Sequence, residues 1–146
     1  MIGTLPLSRK IEFLCGASAA VLGIVAFADV FLRDVTQHNR LGEIFHLNSG
    51  YVFEFFMLAF PSLIVAMAAY AHAVKYKTWG FILLLVGGLL TNALLLAYAP
   101  GILWLLAIFN DIFGLLVMVV EFVLVMVTIA AAVAAFMRRD PFGTAL

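Results

Sequence analysis

The chain has 146 residues, eight Lys and Arg against eight Asp and Glu, and 66% hydrophobic against 11% charged residues. A soluble domain carries about a quarter charged residues, so this chain lacks the polar surface to be one, and its mean hydropathy of +1.20 makes lipid its solvent. The balanced charge excludes the basic stripe that nucleic acid requires, and a single cysteine, Cys15, excludes an internal disulfide.

Four apolar runs predict an all-α, integral membrane four-helix bundle, a single transmembrane domain over 1–146 with helices at about 11–32, 51–73, 79–99 and 112–137. Each run is near the roughly 20 residues that a spanning helix needs. Unpaired backbone groups in hydrocarbon cost several kcal/mol each, so the runs must close their own hydrogen bonds as helices. They lack the alternation of a barrel strand.

The first helix follows Pro6 and Ser8, a candidate N-cap, and carries the small residues Gly16, Ala19, Ala20 and Gly23. Arg9-Lys10, an apolar run and Ala26-Phe27-Ala28 also make the pattern of a cleavable signal peptide, but the run is long for one, and a retained helix is the preferred reading. A polar outer loop from Arg33 to Gly50 follows. Its Asp34, His38, Glu43 and His46 match no metal-ligand spacing and read as a solvated loop.

The second helix presents Ala59, Ser62, Ala66, Ala69 and Ala73 at helical spacing, and its Pro61 is expected to free a backbone carbonyl near residue 57. His72, near its inner end, is expected to rest its polar tip among headgroups, with no second histidine at its depth to share a haem. The third helix opens at Trp79, a headgroup anchor, and carries Gly87-Gly88 and Thr91-Asn92. Pro100-Gly101 is expected to end it, ahead of an apolar outer segment from Ile102 to Phe113. On the fourth helix Gly114, Glu121, Thr128 and Ala135 recur at seven-residue steps and share one face, until Pro141 blocks continuation.

Orientation follows from the basic residues. Arg9, Lys10, Lys75, Lys77, Arg138 and Arg139 fall on one side, and only Arg33 and Arg40 on the other, which predicts both termini in the cytoplasm (N-in, C-in).

Ionisable groups inside a span are costly and draw functional suspicion. Counted at 1.5 Å per residue, Glu121 lies about 26 Å from Arg138, Asn92 about 20 Å above Trp79, Glu54 about 31 Å above Lys75 and Asp29 about 28 Å above Lys10. These residues, with Thr91, form a candidate polar site towards the outer face. In one reading it binds a proton, a cation or a polar ligand. In the other, the preferred one, Glu121 is hydrogen-bonded to Asn92 or Thr91 and fixes the packing of the helices, as interhelical polar pairs commonly do.

The layout resembles the small four-span membrane proteins of bacteria, which implies a bacterial or archaeal cell (inner) membrane. Small multidrug transporters share the size and helix count but use a carboxylate within the first helix. Here Glu12 and Asp29 stand at the two ends of that run, and nothing carries over. No catalytic, cofactor or metal pattern is present, and no cofactor is expected. The expected partners are the lipid bilayer and either a second copy or a larger membrane complex. The chain therefore reads as a non-enzymatic structural or accessory subunit, with a small proton- or cation-coupled transporter using Glu121 as the alternative.

Overall fold

The computed structural model describes residues 4–38, 55–109 and 112–138. They form α1 (Leu7–His38), α2 (Phe60–Ala73, led in by a π-helical turn at Phe55–Ala59), α3 (Thr78–Phe109) and α4 (Ile112–Met137). All four, α2 taken together with its π turn, contain stretches long and apolar enough to cross a membrane. The helices stand in chain order around a ring: α1 packs on α2 and α4, α3 packs on the same two, and α1 and α3 occupy diagonal corners.

Glycines and alanines set the spacing between helices, as expected where lipid leaves no hydrophobic drive for association. A Cβ added at Gly16 would stand 2.8 Å from the Ala69 Cβ and 3.4 Å from Thr128 Cγ2, so three helices meet there. Gly80 of α3 is as close to α2, where an added Cβ would be 2.7 Å from the His72 backbone nitrogen. Gly88 packs on Ile129 and Val125 of α4. Between these contacts Ala68, Ala69, Leu84 and Ala132 are fully buried, with Phe81, Leu83 and Ile129 packed against them.

The contacts between α1 and α2 repeat every seven residues, so three levels are stacked about 10 Å apart. Arg9 lies over the ring of Tyr76, with 4.1 Å from guanidinium carbon to ring centroid. Gly16 meets Ala69, and Gly23 meets Ser62 and the Leu58 carbonyl. Because Gly16 also meets Thr128, the seven-residue stripe of α4 brings Glu121 to the level of Gly23 and Ser62.

The helices differ in length from the sequence expectation. α1 begins at Leu7 and continues unbroken through Ala26-Phe27-Ala28 to His38, so the start of the expected outer loop is helical. Nothing in Arg33–His38 breaks a helix; the first glycine after it is Gly42. α3 does not stop at Pro100 but runs through it to Phe109, so the expected apolar outer segment is largely an extension of this helix. Proline removes one backbone donor and leaves the carbonyl four residues earlier unpaired, which a helix survives when water or a neighbouring group can reach that carbonyl. Leu96, Ala97 and Pro100 are exposed. Pro61 acts differently: the turn before it is wound as a π-helix, and α2 proper begins beside it.

Basic residues Arg9, Lys10, Lys75, Lys77 and Arg138 collect at one end of the bundle, hereafter the basic end. There the turn from α2 to α3 is closed by Lys77 N–H donating to the Ala71 carbonyl at 2.9 Å. Tyr76 takes the left-handed conformation in this turn (φ 55°) that glycine commonly supplies at a helix end.

Candidate functional site

Seven polar side chains are buried among the described residues: Glu12, Ser62, His72, Thr91, Asn92, Glu121 and Thr128. Three of them satisfy themselves within their own helix. Ser62 Oγ donates to the Leu58 and Ala59 carbonyls at 2.9 and 3.1 Å, Thr91 Oγ1 to the Gly87 carbonyl at 2.7 Å, and Thr128 Oγ1 to the Leu124 carbonyl at 2.7 Å. The other four occupy two levels.

At the basic end, His72 Nδ1 lies 2.7 Å from Glu12 Oε1, with the carboxylate fully buried and the imidazole ring nearly so. The His72 ring leans on Phe81 (centroids 5.2 Å apart), which is stacked on Phe136 at 4.5 Å. Arg9 Nη1 donates to the His72 carbonyl at 2.6 Å and the Ala73 carbonyl at 3.4 Å. A cation placed on the last carbonyls of α2 meets both their lone pairs and the negative end of the helix dipole. The cluster corrects two expectations. His72 does not rest its tip among headgroups but is buried against Glu12, and the buried acidic groups do not all lie towards the far end. Sequence depth alone put Glu12 at the mouth of the span; its azimuth on α1, which faces α2, takes it inside.

At the second level, about 15 Å farther along α2, the Glu121 carboxyl of α4 is fully buried and neither oxygen has a hydrogen-bond partner. The Ser62 hydroxyl lies beside it, but its proton is committed to the Leu58 and Ala59 carbonyls. Gly23 completes this level, where a side chain would strike Ser62 and the Leu58 carbonyl.

Asn92 is also buried, and both its amide oxygen and its amide nitrogen lack a partner. Since Gly88 meets Val125 and Ile129 while Gly87 meets Ile64, Asn92 falls within about one helical turn of the Glu121 level. Asn92 and Glu121 thus stand at nearly the same level, and the expected hydrogen bond from Glu121 to Asn92 or Thr91 is not made. Asp29 is half-buried on α1, about 9 Å beyond Gly23 towards the far end. Glu54 lies outside the described residues, as do Glu43 and His46 of the outer loop. Ser62 was legible only as a small residue; its place in the Glu121 level depends on α1 and α4 both facing it.

Buried polar atoms are nearly always paired, and one that is not calls for an unseen partner such as water or an ion. Glu121 and Asn92 together present four such atoms. The arrangement offers oxygen ligands and one amide donor, which suits a proton, water or a hard cation. Among the described residues no group of three or more His, Cys, Asp or Glu could hold a metal ion. Compared with known proteins, the chain matches no family model, no curated protein and no solved structure.

Proposed function

We propose that this chain is a non-enzymatic accessory subunit of a membrane assembly, inserted in the cell membrane of a bacterium or archaeon with both termini in the cytoplasm. The observation that carries this reading is the length of α3. It holds 32 residues without a single charged side chain, or about 48 Å of apolar helix, against a hydrocarbon thickness of about 30 Å. Apolar helix in excess of that thickness is surface that a neighbouring membrane protein would cover. Native mass analysis after mild solubilisation tests the proposal; a strictly solitary monomer would sink it. The basic end faces the cytoplasm under the positive-inside rule, and reporters fused at both ends that read periplasmic would refute that orientation.

A second reading, a small proton- or cation-coupled transporter, is favoured by one observation: the fully buried Glu121 carboxyl without a partner. Replacing Glu121 by Gln keeps the shape and removes titration. Liposome flux that survives Glu121→Gln would leave transport without its central group.

A further inference from the structure

We propose that Glu121, Ser62 and the carbonyls of the adjoining π turn form a binding site for one monovalent alkali cation. This goes beyond the accessory-subunit reading and supplies the transporter reading with a ligand class; it requires neither assembly nor flux to be true.

Four features converge on the same level. The Glu121 carboxylate supplies two oxygens that nothing in the protein occupies. Ser62 supplies a hydroxyl oxygen beside it. Leu58 and Ala59 supply carbonyl oxygens within 2.9 and 3.1 Å of that hydroxyl. They sit at the end of the π turn Phe55–Ala59, just ahead of Phe60-Pro61, where the winding changes from π to α. Irregular helical turns inside membrane proteins are where backbone carbonyls become available to cations, and π turns recur at functional sites. Gly23 lets α1 come close to this level, since a Cβ there would strike the Ser62 hydroxyl and the Leu58 carbonyl.

Charge selects the ligand. No Lys, Arg or His of α1, α2, α3 or α4 stands within a turn of this level, the neighbouring residues being Leu22–Ile24, Ser62–Ile64, Leu90–Asn92 and Val120–Phe122. The next titratable group on α1 is Asp29, another acid. One carboxylate in a medium of low polarity demands one compensating positive charge, which a monovalent cation provides and a divalent cation exceeds. An all-oxygen shell is the hard-ligand set that such ions take. The proton is the competitor: a protonated Glu121 could donate to the Ser62 oxygen, and the cation would have to displace that proton.

The test is carbodiimide labelling. A hydrophobic carbodiimide reacts with a protonated carboxyl in lipid, and peptide mass analysis identifies the modified residue. Purified protein in liposomes is labelled at one fixed, mildly acidic pH in sodium, in potassium, or in a bulky organic cation at equal ionic strength. Labelling of Glu121 is expected in the organic cation. An alkali cation in roughly tenfold excess over its Kd is expected to slow it about tenfold. Ser62→Ala is expected to keep the labelling and lose most of the protection, and Glu121→Gln to abolish both the labelling and equilibrium binding of radioactive sodium. Equal rates in all three cations would overturn the proposal and leave a carboxyl that binds only protons. So would complete absence of labelling, which would show a site closed to exchange. Neither result bears on subunit assembly, which is read by mass.

Discussion

The carboxylate of Glu12 and the imidazole of His72 meet at 2.7 Å inside the basic end, sixty residues apart in sequence and joined by nothing else than the fold. Removing one partner of a buried pair strands the other, at a cost of about 3–5 kcal/mol. His72→Ala is therefore expected to unfold at markedly lower denaturant in mixed micelles. The double substitution Glu12→Leu with His72→Phe, which removes both polar groups and adds a ring beside Phe81, is expected to recover most of the loss. A double variant as unstable as the single one would contradict this.

Arg9 holds the end of α2 by its planar head, donating to the His72 and Ala73 carbonyls while covering Tyr76. Lysine keeps the charge and loses the flat, multi-donor geometry. Arg9→Lys is expected to cost roughly 1 kcal/mol, the order of a single hydrogen bond. The change should appear as faster hydrogen exchange at the amides of Val74 and Lys77, which close the last turn onto Tyr70 and Ala71. Exchange at the centre of α1 should not move.

The glycines rank themselves by what a methyl group would meet. At Gly80 it meets backbone, the His72 nitrogen at 2.7 Å and the Ala68 carbonyl at 3.0 Å; at Gly87 it meets only the Ile64 side chain, at 3.1 Å. Overpacking against rigid backbone costs about 1–3 kcal/mol. Gly80→Ala is expected to fall in that range, while Gly87→Ala is expected to be close to neutral, since Ile64 can shift. Unfolding midpoints of the two variants in one detergent mixture decide the order.

Asn92 carries two unpaired polar atoms in the core, where each neighbour hydroxyl has a carbonyl one turn back. Threonine has nearly the volume of asparagine and can use the Gly88 carbonyl as Thr91 uses that of Gly87. Asn92→Thr is expected to stabilise the isolated protein by about 1 kcal/mol, the penalty for leaving a buried polar group unmade. Loss of stability instead would mean that Asn92 holds a water or ligand in the native protein.

What the sequence made legible was periodicity and depth. The four apolar runs, the seven-residue stripe of α4 and the common depth of Asn92 and Glu121 all follow from counting along one helix. Partnership did not follow, because it depends on which azimuth faces which neighbour. Glu12 and His72 each looked like residues at the edge of a span until α1 and α2 were set side by side. Pro100-Gly101 misled for a related reason: proline ends helices in water, where a freed carbonyl invites competing turns, but at this position the helix persists to Phe109.

The matching seven-residue spacing of α1, α2 and α4 has a hazard built into it. Displacing one helix by a full repeat would lay small residue on small residue again and look almost as comfortable to the apolar atoms. Displacing α1 along α2 would break the Glu12–His72 pair. Displaced by one repeat along α1 and α2, α4 would instead set Glu121 against Gly16 and Ala69 in place of Gly23 and Ser62. Glu12, through its pair with His72, thus serves as an index mark, making a mis-threaded bundle energetically distinct from the native one while the helices are still finding each other.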